Sequence, residues 1–280
     1  MSPRHLIWLL AAAWPAGAAA ADWSLSVSGG TATVAGEGGQ PFVAASLYRY
    51  FGDGFVRASL AWFDGDGDPD VAEPLPAETR QVTVGGGYQA GRVLLDGYVT
   101  LGSRDFTPPG PARTNGRAVR DETDGGLLTL GGSVTWDAPA GEDWSIAPFV
   151  SLSYSKLDSA RTIVPAAGNP VIEERRESGL TGIAGLSAER VWRRASLGVY
   201  LAAAATSNRA AINRQGSGLL AGRSPQLIPA EDESDAWLEY GVSGSVQLAA
   251  DLSLDAVLVR TAGFAGGETT SASAGVRIRF

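Results

Sequence analysis

The chain ends in the stretch Ser271-Ala-Ser-Ala-Gly-Val-Arg-Ile-Arg-Phe280, whose residues alternate in character. One face of an extended strand built from this stretch is apolar and carries Ala274, Val276, Ile278 and Phe280. The opposite face carries Arg277 and Arg279. A strand with one apolar and one charged face is typical of a barrel wall that separates lipid from a polar interior. The stretch therefore predicts a membrane-spanning β-strand with an aromatic residue at its end.

The same period-two alternation recurs along the whole chain, in runs of roughly 9 to 15 residues. Twelve runs are predicted, at about 23–35, 40–51, 55–64, 78–90, 92–105, 124–138, 143–160, 176–191, 194–208, 235–249, 252–263 and 268–280. Clusters of Gly, Pro, Asp and Asn separate them. The runs have the length required of a tilted strand, which crosses a bilayer in roughly 9–11 residues.

The connections between the runs alternate between short and long. Short turns follow the even-numbered runs, whereas most odd-numbered runs are followed by long polar connections, at 65–77, 106–123, 161–175 and 209–234. Tight turns on one side and long loops on the other are typical of outer-membrane barrels. A soluble β-sandwich, the alternative fold, has no reason to place its long loops at one end. The sequence therefore predicts an all-β, transmembrane, antiparallel up-and-down barrel of about 12 strands.

The N-terminus has the organisation of a signal peptide. Arg4 and His5 precede the apolar segment 6–14, which is too short to span a bilayer. Small residues at 19–21 fit a cleavage site after Ala21. We therefore predict a cleaved signal peptide at 1–21 and one barrel domain at 22–280.

Composition argues against several classes of protein. The net charge of -8 is unfavourable for a nucleic-acid binder, so no nucleic-acid partner is expected. Residues 22–280 contain no His and no Cys, which excludes a Ser-His pair and a Cys nucleophile. We therefore expect no enzymatic activity, no catalytic residues and no cofactor.

One acidic segment, Asp64-Gly-Asp-Gly-Asp-Pro-Asp70, is a candidate metal site. Alternating carboxylates such as Asp64, Asp66 and Asp68 could direct several oxygen ligands at Ca²⁺. The EF-hand pattern fails, because Pro69 stands where the turn glycine belongs. The alternative, a solvated loop without metal, is favoured because isolated acidic loops bind Ca²⁺ weakly.

The polar faces of the predicted strands indicate what lines the lumen. Charged residues on these faces are Arg57, Asp96, Glu189, Glu239, Asp255, Arg277 and Arg279. Asp255 and Arg277 are predicted to lie roughly opposite each other in the last hairpin and to form an ion pair. Aromatic residues should collect at the two membrane interfaces, where we place Trp62, Trp136, Trp144, Trp192 and Trp237.

Two stretches resemble autotransporter-type β-domains. The segment 144–158 (WSIAPFVSLSYSKLD) with Glu177-Ser-Gly179 is similar to their central strands, and 274–280 is similar to their ending. The resemblance covers about residues 40–280 and implies a twelve-stranded outer-membrane barrel. It also implies that Phe280 is read by the outer-membrane insertion machinery. The first predicted strand begins beside the cleavage site, so we expect a barrel without a passenger.

These observations lead to two functional hypotheses. The first is a narrow passive pore or transport-related barrel in the bacterial outer membrane. The alternative is a structural or surface-interaction barrel that displays its long outer loops, in the manner of an adhesin. The expected partners are the lipid bilayer and lipopolysaccharide, since Arg side chains suit phosphate groups. The sequence leaves open whether barrels associate.

Overall fold

The computed structural model describes residues 23–34, 40–64, 76–106, 123–163, 171–212, 234–265 and 268–280. The predicted signal peptide, residues 1–21, lies outside this range. Within the described ranges no helix is long and apolar enough to cross a membrane. The helical element found there is the three-residue 3-10 turn Arg209–Ala211.

Twelve long strands run alternately up and down. They are β1 (Trp23–Val34), β2 (Gln40–Phe51), β3 (Gly54–Asp64), β4 (Pro76–Ala90), β5 (Val93–Phe106), β6 (Thr123–Trp136), β7 (Trp144–Ile163), β8 (Val171–Trp192), β9 (Ala195–Thr206), β10 (Asp235–Gln247), β11 (Leu252–Ala262) and β12 (Thr269–Arg279). A two-residue strand, Ala138–Pro139, pairs with the start of β7. Each predicted run corresponds to one long strand, and most boundaries agree within two residues.

The strands form one closed antiparallel sheet. Each pairs with its neighbour in sequence, and β12 also pairs with β1 along Ser24–Arg279 to Val34–Thr269. At this seam the Trp23 amide donates to the Phe280 carbonyl and the Phe280 amide to the Trp23 carbonyl, both at 3.1 Å. Closure removes the open sheet edges of the barrel wall, which a β-structure in lipid requires.

The pairing register fixes the tilt of the strands. A row of paired residues that starts at Ser145 on β7 and is followed around the barrel returns to β7 at Ser159, 14 residues farther along. A stagger of this kind tilts the strands by roughly 35–45° to the barrel axis. Rows of paired residues therefore climb obliquely around the lumen.

The two ends of the barrel differ as predicted. Short turns occupy one end, here called the turn end, and Gly52 and Gly91 there adopt positive φ angles of 53° and 60°. Such angles are typical of tight hairpin turns and favour glycine. The opposite end, here called the loop end, carries the long connections.

The outer face of the barrel is apolar between two groups of aromatic side chains. Alternate residues of each strand expose large apolar groups, for example Leu60 at 60% and Val84 at 59%. Exposed aromatic side chains near the turn end are Phe51, Tyr88, Trp136, Trp144, Trp192 and Phe280. Those nearer the loop end are Trp62, Tyr154 and Tyr240. This belt with aromatic borders matches the surface of a transmembrane barrel.

The prediction for Trp237 was wrong. We placed it at a membrane interface, but its side chain lies inside the barrel and is 4% exposed. Trp237 shares the inner face of β10 with Glu239, because residues two apart on a strand point the same way. Its indole Nε1 donates a hydrogen bond to Glu239 Oε1 at 2.7 Å.

The predicted loop 161–175 is also largely wrong, because β7 and β8 form a long hairpin there. They stay paired from Trp144–Arg190 to Ile163–Val171. The neighbouring strands stop earlier, since β6 pairs with β7 only as far as Ser159 and β9 pairs with β8 only from Thr181. The hairpin therefore extends past the barrel wall at the loop end.

Aromatic rings and glycines of neighbouring strands fit together on the inner wall. Gly185 of β8 lies between Phe149 of β7 and Ala202 of β9. A Cβ atom on Gly185 would lie 2.6 Å from the Ala202 Cβ and 2.8 Å from Phe149 Cζ. Only glycine allows this close approach.

Asp137 follows β6 at the turn end, and burial raises its pKa while the Arg92 charge opposes that shift. When the pKa of a carboxyl group is higher in the folded protein than in the unfolded chain, the group favours folding at pH values below its pKa in the unfolded chain. This contribution to stability is lost as the pH rises through the pKa of the group in the folded protein. We therefore expect Asp137→Asn to raise the unfolding temperature at neutral pH and to have no effect below about pH 3, where both states are protonated. Melting curves at the two pH values test this, and equal shifts at both would contradict it.

Candidate functional site

The lumen holds the candidate site, and its most regular feature is a row of hydroxyl groups, here called the hydroxyl row. Its members face one another in register on the seven strands β1 to β7: Ser26, Ser46, Ser59, Thr83, Thr100, Thr129 and Ser155. The Oγ1 atoms of Thr83 and Thr100 lie 2.8 Å apart, and Thr129 Oγ1 lies 3.1 Å from Ser155 Oγ. Because the strands are tilted, the row climbs from the turn end of β1 towards the loop end of β7.

The predicted lumenal charges all lie on the inner face. Arg57, Asp96, Glu189, Glu239, Asp255 and Arg277 are each at most 9% exposed. Arg279 is half-buried. The alternation of the strands, read from the sequence, therefore assigned these side chains to the correct face.

Two ion pairs neutralise charge inside the lumen. Arg277 Nε donates to Asp255 Oδ2 at 3.1 Å, which confirms the predicted pair. The two residues are diagonal neighbours, because Arg277 is in register with Ser253. Arg57 Nη1 lies 3.5 Å from Asp96 Oδ2, and its guanidinium lies 5.8 Å from the Tyr98 ring centroid. Four of the lumenal charges are therefore balanced in two pairs of opposite sign.

Apolar side chains fill the lumen on the side of β7 to β11. These side chains lie inside the barrel, towards its loop end, and are here called the outer apolar cluster. They are Phe149, Ile183, Tyr200, Ala202, Ala204, Ile212, Trp237, Val259 and Phe264. The rings of Trp237 and Phe264 meet edge to face with centroids 5.0 Å apart. The cluster extends from the middle of the lumen to the loop end and narrows the passage there.

The segment 207–212, here called the inward segment, turns into the lumen directly after β9. Ile212 is 1% exposed within the outer apolar cluster. Asn208 Nδ2 donates to Glu177 Oε2 at 2.9 Å, and the amide of residue 207 donates to the Leu180 carbonyl at 2.9 Å. The sequence predicts an outer loop at 209–234, and the inward turn at its start was not predicted. A usable signal was Ala210-Ala211-Ile212, an apolar stretch in a polar loop.

A second narrowing lies nearer the turn end, on the opposite wall. Tyr48, Phe55 and Leu94 form a buried group there, with Tyr50 packed against it. The Tyr48 ring centroid lies 6.3 Å from that of Tyr50 and 6.1 Å from that of Phe55. The lumen is therefore constricted at two levels, by groups on different walls.

Arg104 of β5 is a lumenal cation that is absent from the predicted set of lumenal charges. It lies on the same face as Asp96 and Thr100 and is 8% exposed. The sequence was sufficient to identify it. Arg104 is eight residues from Asp96 on the same strand, and residues separated by an even number of positions face the same side.

The candidate metal site stays a prediction. Asp64 is exposed at the end of β3, whereas Asp66 and Asp68 lie outside the described residues. Within the described part of the chain, no group of three or more acidic, His or Cys side chains is placed to hold a metal ion.

Comparisons with known proteins agree with this architecture. The family model of the autotransporter beta-domain matches residues 54–257. The translocator domain of the autotransporter NalP from Neisseria meningitidis superposes with a TM-score of 0.66 at 15% identity, covering 99% of this chain and 94% of that chain. The beta domain of the Bordetella autotransporter BrkA gives a TM-score of 0.56 at 16% identity, with 92% and 99% covered. LpxR from Salmonella typhimurium gives 0.52 at 10% identity, with 92% and 100% covered. No curated protein matches the sequence significantly.

Proposed function

Because the chain belongs to the autotransporter beta-domain family, we propose that it is an integral barrel of the Gram-negative outer membrane whose lumen is a narrow passive pore. The hydroxyl row is the observation that carries this proposal. Its members nearest the turn end, Ser26, Ser46, Ser59 and Thr83, are half-buried and so are accessible to water. Hydroxyl groups both donate and accept hydrogen bonds, and they can therefore hold water along the wall.

Two of the cations inside the barrel are neutralised by carboxylates. Arg277 has its carboxylate partner on the neighbouring strand, and Arg57 of β3 has its partner across β4, on β5. Paired charges of opposite sign leave little net field at the positions of the two pairs. The pore we propose conducts small polar solutes, and it acts without catalysis.

The outer apolar cluster supports a pore that is mostly closed at the loop end. Ile212 contributes to the closure by packing among apolar side chains of five strands, β7 to β11. We expect Ile212→Ser to raise the open probability by about tenfold or more, because loss of a buried aliphatic group costs the closed form more than about 1.4 kcal/mol. Single-channel recording in a planar bilayer measures this.

Folding must be established before conductance is interpreted. Each preparation is first checked for the heat-dependent gel mobility of a folded barrel. Leu248→Ser is a matched control, because Leu248 is 57% exposed in a turn far from the inward segment. We expect its conductance to equal that of the wild type. Folded wild-type and Ile212→Ser proteins that both stay silent would reject the pore.

The long β7–β8 hairpin favours a second function, surface interaction. It carries exposed charged groups on its outer face, with Lys156 Nζ 3.0 Å from Asp158 Oδ2 and Arg176 Nη2 3.4 Å from Glu174 Oε2. A charged hairpin held beyond the wall is a suitable surface for recognition by a partner. A folded but silent barrel would direct attention to this hairpin.

Two partners of the membrane itself are part of the proposal. Phe280 is 63% exposed at the turn end, where insertion machinery could contact it. Lys156 and Arg176 are exposed near the loop end and could pair with phosphate groups of lipopolysaccharide. Both contacts are available from the membrane side of the barrel.

A further inference from the structure

Arg104 is a buried cation without a partner among the residues that the structure describes. Its side chain lies on the inner face near the loop end of β5 and is 8% exposed. The buried Nε and Nη2 atoms make no hydrogen bond. Arg57 and Arg277, which also face the lumen, each have an aspartate partner. Burying a charge without a partner of opposite sign destabilises the folded protein. A negatively charged partner for Arg104 would therefore be stabilising.

Two polar side chains of β4 lie beside this cation. Thr79 is in register with Arg104, and Gln81 is in register with Gly102 of the same strand, β5. Both are buried, at 9% and 5% exposure. Gln81 packs closely against Gly102, since a Cβ atom there would lie 2.9 Å from Gln81 Cγ. A threonine hydroxyl and a glutamine amide can each donate a hydrogen bond to an anion.

We propose that Arg104, together with Thr79 and Gln81, forms an anion site at the loop end of the lumen that takes a carboxylate or phosphate group. The planar guanidinium presents its donors in a fork that matches two oxygens of either group. Charge-assisted hydrogen bonds of this kind are among the strongest that proteins make. The site is independent of the pore, because it requires only that an anion reaches the loop end.

Inorganic phosphate is the probe for this site. The full barrel, refolded in detergent, is heated at a series of phosphate concentrations with chloride added to hold the ionic strength constant. We expect the unfolding temperature of the wild type to rise with phosphate and to level off, as for a ligand that binds only the folded state. In Arg104→Gln the apparent affinity should fall by about tenfold or more.

Two further variants make the result specific. Arg260→Gln is the matched control, because Arg260 is exposed on the outer face and hydrogen-bonds Glu268. It should keep the phosphate response. Arg104→Lys keeps the charge but loses the fork, so we expect an intermediate affinity and a folded protein even if Arg104→Gln refolds poorly.

A further variant identifies the source of the anion. If carboxylates of this chain occupy the site, changing Asp66, Asp68 and Asp70 to Asn together should strengthen phosphate binding. If a free anion occupies it, this triple variant should bind phosphate as the wild type does. The inference is overturned if neither the wild type nor the triple variant responds to phosphate, or if Arg104→Gln responds equally. Because the readout is unfolding, a silent pore does not affect it.

Discussion

Gly185→Val is expected to abolish refolding of the barrel. A Cβ atom at Gly185 would lie 2.6 Å from both the Leu201 carbonyl oxygen and the Ala202 Cβ. These atoms belong to the backbone of β9 or are fixed to it, so they cannot move without breaking the pairing of β8 with β9. Overpacking usually costs about 1–3 kcal/mol, and this clash should exceed that range.

The same strand offers a matched control. Gly182 lies three residues away on the outer face of β8, and no atom lies within 4 Å of a Cβ placed there. Gly182→Val should therefore refold like the wild type, since valine also suits a strand that faces lipid. The fraction of protein with folded gel mobility measures both variants. Efficient refolding of Gly185→Val would show that the packing of Phe149 over this glycine is dispensable.

Arg277→Glu should be the most damaging single charge change inside the lumen. It would place a second carboxylate beside Asp255, and both positions are at most 6% exposed. Breaking a buried ion pair by changing one partner typically costs about 3–5 kcal/mol. We expect a corresponding fall in the free energy of unfolding, measured by urea titration of the barrel in lipid vesicles.

The double variant Asp255→Arg with Arg277→Asp restores opposite charges on the same two strands. It should regain most of the lost stability, because the exchanged charges remain diagonal neighbours on the inner face. Reversal of the exposed pair Arg260 and Glu268 is the control and should have little effect. A double variant as unstable as Arg277→Glu would mean that the geometry of this pair, rather than its charge, is what the barrel requires.

The strands could be predicted because alternate residues face the lipid, which favours apolar side chains, and the lumen, which favours polar ones. Val276 and Ile278 had to face lipid once Arg277 was assigned to the interior, and the structure agrees. The pairing of Asp255 with Arg277 followed from the short loop that joins their strands. The alternation of apolar and polar residues identifies the face on which a side chain lies. The order of the strands identifies which residues of neighbouring strands lie close together.

Other features depend on contacts that alternation does not encode. The inward position of Ile212 results from its packing against residues of β7 to β11, which are distant in sequence. The part of the β7–β8 extension that precedes residue 176 was missed because Glu173-Glu174-Arg175 has no apolar face. A strand that lies beyond the membrane does not need an apolar face. The alternation of apolar and polar residues therefore does not identify it.

The seam between β1 and β12 has a kinetic consequence. Each of the other pairings between long strands joins strands that are consecutive in sequence, so hairpins can form locally. The seam instead joins Trp23 to Phe280, at the two ends of the described chain. Pairings with large sequence separation form slowly, because chain entropy must be lost before the contacts are gained. Closure should therefore be the late step of folding, and until it occurs the two terminal strands remain open edges on which a strand from another chain can add.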